Sequence, residues 1–439
     1  MYGRVSNEMN LTKYKQLNNM PLWTYTGIVT KVVGMAVESL GPKVNIGTLC
    51  TITGANNETL LAEVVGFNGE NILLMPLGDL SGVGPGCVVK TTGEKLQIKV
   101  TNDLLGQVVD WQANPLDETV ISNGVKVPLE NTAPNPLTRN RIHEQMILGV
   151  KAIDGMLSVG KGQRMGIFAG SGVGKSTLMG MIARNALSDI NVIALIGERG
   201  REVREFIEKD LQEAGLRRSI VVVATSDQPA LVRFKAAQTA TAIAEYFRDQ
   251  GQDVLLLMDS LTRFAMAQRE IGLSIGEPPV SRGYTPSVFG TLPKLLERAG
   301  YSDKGSITGL YTVLVDGDDF NEPVTDTARG ILDGHILLSR KLAHKGHYPA
   351  IDVLGSISRV MGDITSKEHR QMAVEVKKHL AIYTDAEDLI NVGAYKEGSN
   401  PEIDEAISKI SSIKAFLTQA THDQFSKEET LAYMQAIVS

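Results

Sequence analysis

The sequence predicts an α/β protein: a parallel sheet covered by helices, preceded by a small all-β domain and followed by a helical one. Three observations carry this. Between residues 163 and 362 apolar strand-like runs alternate with amphipathic helical patterns, which is how βαβ units and a parallel sheet read. Residues 23–100 instead hold short, β-branched runs punctuated by glycine, the pattern of a small barrel or sandwich. Beyond residue 362 the apolar spacing of three and four is that of helices.

Composition bounds the rest. A chain of 439 residues is long enough for two or three domains. Its net charge of −6, with 21% charged residues, supplies no global basic field and argues against a nucleic-acid partner. Cys50 and Cys87, the two cysteines, have no metal-ligand spacing and read as small hydrophobes in a reducing compartment. The N-terminus lacks an apolar signal core, and no apolar run reaches the ~20 residues of a membrane span. A cytoplasmic protein is expected.

Taken in order, residues 1–22 are polar, with Leu11, Tyr14 and Leu17 spaced by threes after Asn10. They form either a short amphipathic helix that docks on a partner or a loose tail. Strands are expected at 27–33, 47–53, 61–65, 71–75 and 87–90. No interleaved arginine and aromatic pattern marks an oligonucleotide face there, so a structural or assembly role is expected. Residues 101–162 carry Pro115, Pro128, Pro134 and Pro136 and read as an ordered connector with one helical piece at 147–157.

The core has expected strands at 165–169, 192–197, 220–225, 254–259 and 309–315, with helical patterns such as 202–214 and 231–247 between them. In such sheets ligands bind beyond the carboxyl ends of the strands. The first strand runs into Gly170-Ser-Gly-Val-Gly-Lys-Ser-Thr177, a strand, loop and helix in the order of a P-loop. Gly170, Gly172 and Gly174 let the backbone turn its N–H groups toward one centre, at the positive end of the following helix. Lys175 then reaches the β- and γ-phosphates and the Ser176 hydroxyl a magnesium ion, while Ser171, Val173 and Thr177 complete the set. Ala169 stands where the strict pattern has its first glycine. A nucleoside triphosphate is the expected ligand.

Asp259 closes the apolar strand Val254-Leu-Leu-Leu-Met258, as the carboxylate of a Walker B strand does, and is placed to hold magnesium through water. Two strands separate it in sequence from the P-loop, which suits ATPases with an additional strand between the two. Glu198, in Ile196-Gly-Glu-Arg-Gly-Arg201, is either the group that polarises an attacking water or a surface carboxylate paired with Arg199 or Arg201.

Longer motifs carry a resemblance. Gly-Glu-Arg-Gly-Arg-Glu-Val and Met258-Asp-Ser-Leu-Thr-Arg263 resemble the catalytic subunits of rotary ATPases. Pro278-Pro-Val-Ser-Arg-Gly-Tyr-Thr-Pro-Ser-Val-Phe-Gly-Thr-Leu-Pro293 and Asp316-Gly-Asp-Asp-Phe-Asn-Glu-Pro323 are similar to the type III secretion ATPases. Val360-Met-Gly-Asp-Ile-Thr-Ser-Lys-Glu-His369 is closer to the flagellar export branch than to the injectisome one. The resemblance implies a RecA-like P-loop ATPase core (101–362 with its connector), an N-terminal small β-barrel domain (23–100) and a C-terminal helical domain (363–439). It implies ATP and Mg2+, with Glu198 the catalytic carboxylate and Arg199 and Arg263 its neighbours. Gly346-His-Tyr-Pro-Ala350 resembles the segment that stacks on adenine, which makes Tyr348 the base contact. Ser356-Ile-Ser-Arg-Val360 resembles the one that supplies an arginine finger, which makes Arg359 the finger.

In the ATP synthase head the finger and the catalytic glutamate sit on different chain types. Here one chain carries both Glu198 and Arg359, so a homohexamer could complete every site. The resemblance further implies a peripheral-stalk-like negative regulator on residues 1–22 and a coiled-coil central stalk protein. It also implies a membrane export gate on whose inner face the ring sits, export substrates with their chaperones, and no specific nucleic acid. Other readings are an injectisome ATPase, a ring-shaped RNA translocase, and a nucleotide-binding subunit without turnover. The last usually carries glutamine at the position of Glu198.

Overall fold

A computed structural model describes residues 25–121, 123–315 and 319–439. The tail at 1–22 and residues 316–318 of the Asp-Gly-Asp-Asp motif lie outside the described residues. The chain divides into two compact units between Leu96 and Gln97.

The first unit is a closed barrel of six strands: Thr26–Val33, Ala36–Leu40, Thr48–Thr53, Thr59–Asn68, Asn71–Pro76 and Val88–Lys95. Alternate residues such as Val29, Val37, Ile52, Val64, Leu74 and Val89 point inward and form its core. Ala36–Leu40 is absent from the sequence expectation. Its inward residues are few and a glutamate and a serine interrupt it, so the pairing with Thr26–Val33 and Asn71–Pro76 makes it a strand rather than its own composition. Gln97–Val100 lies outside the closed barrel and pairs instead with Val125–Pro128 in the second unit.

The second unit is built on one large sheet. Its strand order is Ile351–Ser358, Gly334–Leu338, Arg164–Ala169, Ser306–Leu314, Asp253–Asp259, Ile190–Glu198, Ser219–Thr225 and Val108–Val109. All of these pair in parallel except Ile351–Ser358, which runs antiparallel to its neighbour. The central strands are apolar on both faces because helices cover both. Ser306–Leu314, late in sequence, lies between the P-loop strand and the Asp259 strand. The connector is ordered by reaching this unit: Val108–Val109 extends the sheet edge, and Arg298 donates to the Leu129 carbonyl.

The helical pattern expected at 202–214 is interrupted. An α-turn, Gly200–Glu205, gives way to a π-helical stretch, Phe206–Leu211, before Gln212–Leu216. The wider turn lets Phe206 and Leu211, five residues apart, both reach the core. This segment lies against the P-loop helix at Gly180, where a Cβ would stand 2.6 Å from the Asp210 carbonyl oxygen, so only glycine admits the approach. The helical piece expected at 147–157 is shorter, Lys151–Met156. The Asp154 carboxylate accepts from Leu148, Gly149 and Val150 N–H groups and holds the preceding residues in a turn.

The C-terminal helices are Lys367–Asn391, Pro401–Leu417 and Lys427–Val438. Ser366, Asn400 and Ser426 cap them, the last in a capping box with Glu429. They dock on Lys151–Met156. The Lys151 ammonium sits 4.5 Å from the Phe425 ring centre and 4.9 Å from that of Tyr433. The Gln419 side chain accepts from Lys151 N–H and donates to the Gly149 carbonyl.

One buried ion pair offers a direct test of the core. Arg298 forks onto both oxygens of Glu245 at 2.9 and 2.7 Å, with both side chains at most 4% exposed. Glu245→Ala strands a buried guanidinium and is expected to cost about 3–5 kcal/mol, read as a lowered thermal midpoint. Replacing both residues by apolar ones of similar volume is expected to restore most of it. An unchanged midpoint in the single variant would contradict this account.

Candidate functional site

The strand Arg164–Ala169 ends at the sheet's carboxyl edge, and the chain turns through Gly170–Gly174 into the helix Lys175–Asn185. Gly172 and Gly174 have φ of 75° and 89°, a left-handed backbone that a side chain disfavours. Val173 is buried and anchors the loop from below. Ala169 packs into the same core, which is why a methyl group is harmless at the position of the first motif glycine. The helix begins at Lys175, so its unpaired N–H groups and positive end face the loop.

A cavity of about 670 Å³ opens here. Gly170, Ser171, Gly172, Gly174, Lys175, Ser176 and Thr177 line one side of it, and Glu198, Arg199 and Arg263 the other. Val173, expected in the ligand-binding set, is buried and does not line the cavity. Glu198 and Asp259 arrive from neighbouring strands, with Leu195 opposite Asp259, so that Glu198 stands three residues further along its own strand. Lys175 Nζ lies 2.5 Å from Asp259 Oδ1 and 3.7 Å from Glu198 Oε1. Burial disfavours the ammonium, but the charges of Asp259 and Glu198 outweigh it and hold its pKa above the ordinary lysine value.

Glu198 has the reverse problem. Burial and the charge of Asp259 push its carboxyl up to about 7, against the pull of Lys175. A hydrogen bond joins it to Glu202, whose own pKa is lowered by that bond and by Arg199. Of the two carboxylates, Glu198 is therefore the one that takes up a proton first as pH falls. Arg199 is exposed and donates to Glu202 at 3.2 Å. Arg263, half-buried, lies in the first turn of the helix Leu261–Ser274 and packs against Gly197, where a Cβ would meet its side chain at 3.0 Å.

Tyr348 precedes Ile351–Ser358 at the same edge of the sheet. Its ring stands 3.5 Å from where a Cβ on Gly174 would lie, and it is 46% exposed, leaving a free aromatic face beside the loop. Gln419 N–H donates to its carbonyl at 3.0 Å. Arg359 is elsewhere. Leu338 is level with Ala169 at the P-loop edge, but Ser358 pairs with Gly334 at the far end of that strand. Four residues of strand, roughly 13 Å at ~3.3 Å each, separate the two ends. Arg359 is exposed, donates to the Arg329 carbonyl at 3.4 Å, and does not line its own chain's cavity.

Sequence reasoning missed Glu202 and Thr312. Glu202 had a signal, a second carboxylate one helical turn beyond Glu198. Thr312 had almost none: it is a buried hydroxyl inside an apolar strand, and it donates to Asp259 Oδ1 at 2.6 Å.

The donor set fits a magnesium ion held largely by phosphate and water. Ser176 and Asp259 supply oxygen, the preference of a hard cation, and among the described residues no cluster of three or more His, Cys, Asp or Glu would hold a metal without nucleotide.

A phosphate loop, a buried carboxylate one strand removed and a second carboxylate beyond it define a P-loop ATPase of the additional-strand type. The family model for the ATP synthase alpha/beta nucleotide-binding domain matches residues 149–358, and that for the beta-barrel domain matches 29–93. The model of the type III secretion EscN ATPase C-terminal domain matches 365–436. The chain belongs to the ATP synthase alpha/beta family, in the branch of flagellum-specific and type III secretion ATPases.

Among its relatives is the flagellum-specific ATP synthase of Bacillus subtilis, 58% identical over 94% of each chain. The assembled ATPase EscN of the enteropathogenic E. coli type III secretion system superposes with a TM-score of 0.89 at 46% identity, over 94% of this chain and all of that one. EscN in complex with its central stalk EscO gives 0.87 at the same identity and coverage.

Proposed function

We propose that this chain hydrolyses ATP in a homohexameric ring and so energises export of flagellar proteins through the type III secretion apparatus. The observation that carries the ring is the placement of Arg359. Lys175 and Glu198 line one cavity and Asp259 is joined to it through Lys175, while the arginine lies at the opposite end of its strand pair, so in this reading one chain holds an unfinished site.

In this reading the N–H groups of Gly170 to Gly174 and the opening turn of the helix through Thr177 cradle the phosphates. Lys175 leaves Asp259 for the β- and γ-oxygens. The Ser176 hydroxyl and the Asp259 carboxylate would hold the magnesium ion, which when bound would neutralise charge on the phosphates. Glu198 orients the attacking water, Arg199 and Arg263 flank it, and Tyr348 stacks on the base. Arg359 of one copy meets the γ-phosphate held by the next.

Partners follow the same reading. Residues 1–22 bind a peripheral-stalk-like negative regulator, and a coiled-coil stalk enters the ring, as the EscN complex with EscO supports. The ring is cytoplasmic and docks on the inner face of the export gate, where it meets substrates and chaperones. No helix among the described residues is long and apolar enough to cross a membrane. The 58% identity to a flagellum-specific relative, against 46% to EscN, favours the flagellar system over an injectisome.

Complementation tests this. Expressed in Bacillus subtilis lacking its flagellum-specific ATP synthase, this chain is expected to restore swimming, and its Lys175→Ala variant is not. Failure of the intact chain, expressed at normal levels, would argue against the flagellar reading.

A further inference from the structure

Asp259 is nearly sealed from solvent, and two donors meet on one of its oxygens. Lys175 Nζ and Thr312 Oγ1 both approach Oδ1, at 2.5 and 2.6 Å. The two donors differ in what happens when nucleotide enters. Lys175 stands on the opening turn of the P-loop helix and is drawn to phosphate. Thr312 is fixed in the strand Ser306–Leu314, in register beside Asp253–Asp259, fully buried and without a route to any other partner than the Met258 carbonyl at 3.4 Å.

We infer that Thr312 is a positioning residue for Asp259. It keeps its bond to Oδ1 after Lys175 departs, and so holds the carboxylate in place with Oδ2 left free for a magnesium-bound water. A buried carboxylate that lost its lysine with no second donor would be left poorly compensated, and would rotate or stay with the lysine. Either outcome weakens metal binding without touching the phosphate cradle. The inference rests on the reading of Asp259 as the acceptor for the metal's water.

The test is the gain in nucleotide affinity that magnesium confers, measured with a fluorescent ATP analogue in magnesium and in EDTA. Thr312→Val keeps the shape and removes the hydroxyl. It is expected to cut the magnesium-dependent gain about tenfold, the scale of one hydrogen bond to a charged group, and to leave affinity in EDTA unchanged. Thr312→Ser is expected to restore the gain. A merely structural role would lower both affinities and the thermal midpoint together, and that result overturns the inference, as does a wild-type gain in Thr312→Val. Should Thr312→Val be unstable, Thr312→Cys, which keeps the size and offers only a weak donor, serves in its place with the same expected loss. Asp259→Asn separates the two layers. If it abolishes the gain while Thr312→Val keeps it, only the role of Thr312 falls. If Asp259→Asn also keeps the gain, the reading of Asp259 itself falls.

Discussion

Arg359→Ala and Lys175→Ala chains are each expected to be inactive alone and to regain part of their turnover when mixed. A guanidinium suits the phosphoryl transition state, which spreads charge over three oxygens, and fingers of this kind are worth roughly 10³–10⁵ in rate. That corresponds to about 4–7 kcal/mol, far above the ~0–1 kcal/mol of a surface ion pair. The fold supplies the reason for expecting it in trans. Ile351–Ser358 runs antiparallel to its neighbour, so it carries Tyr348 to the P-loop edge and delivers Arg359 to the other. In mixed rings some interfaces join an intact P-loop to an intact finger, and phosphate release should peak at intermediate ratios. If mixed rings demonstrably form and every ratio stays inactive, the trans assignment fails. If Arg359→Ala alone keeps full turnover, the residue is a structural arginine at the sheet edge.

Glu198→Gln is expected to keep nucleotide affinity and lose about 10²–10⁴ in turnover, whereas Lys175→Ala loses binding itself. The amide preserves shape but cannot accept the proton of the attacking water. Near-wild-type hydrolysis by Glu198→Gln would remove the residue from the chemistry. The pKa adds a second measurable consequence. Water activation needs Glu198 ionised, and burial beside Asp259 has pushed its carboxyl up to about 7. The protonated, inactive form therefore gains as pH falls through 7, and wild-type kcat/KM should decline on that side and level off above it. A profile flat from pH 6 to 8 would show that another group limits turnover.

Local chemistry was legible wherever one short stretch contains the whole device. Gly170–Thr177 needs only its own backbone and the helix that follows, so spacing announced it. The capping box at Ser426 and Glu429 is equally self-contained. The five strands at the centre of the parallel sheet were legible because burial on both faces leaves an unbroken apolar run, whereas Gly334–Leu338, fully buried only at alternate residues, was not. Ala36–Leu40 was not, since its neighbours in the barrel rather than its composition make it a strand. The π-helical stretch Phe206–Leu211 escaped for a related reason: the core it packs against sets its spacing.

Read from the residues alone were a phosphate-loop motif, the positions of the two candidate carboxylates along the chain, and the succession of barrel, sheet and helices. Those are consequences of residues within a few positions of each other. Which distant groups meet is settled by the three-dimensional fold. It set Ser306–Leu314 between the P-loop strand and the Asp259 strand, and thereby brought Thr312 onto Asp259. It also placed Arg359 away from its own cavity, because the direction of an edge strand is chosen by packing against the sheet. Strand order and direction are properties of pairing across the sheet, and pairing joins residues that no local pattern links.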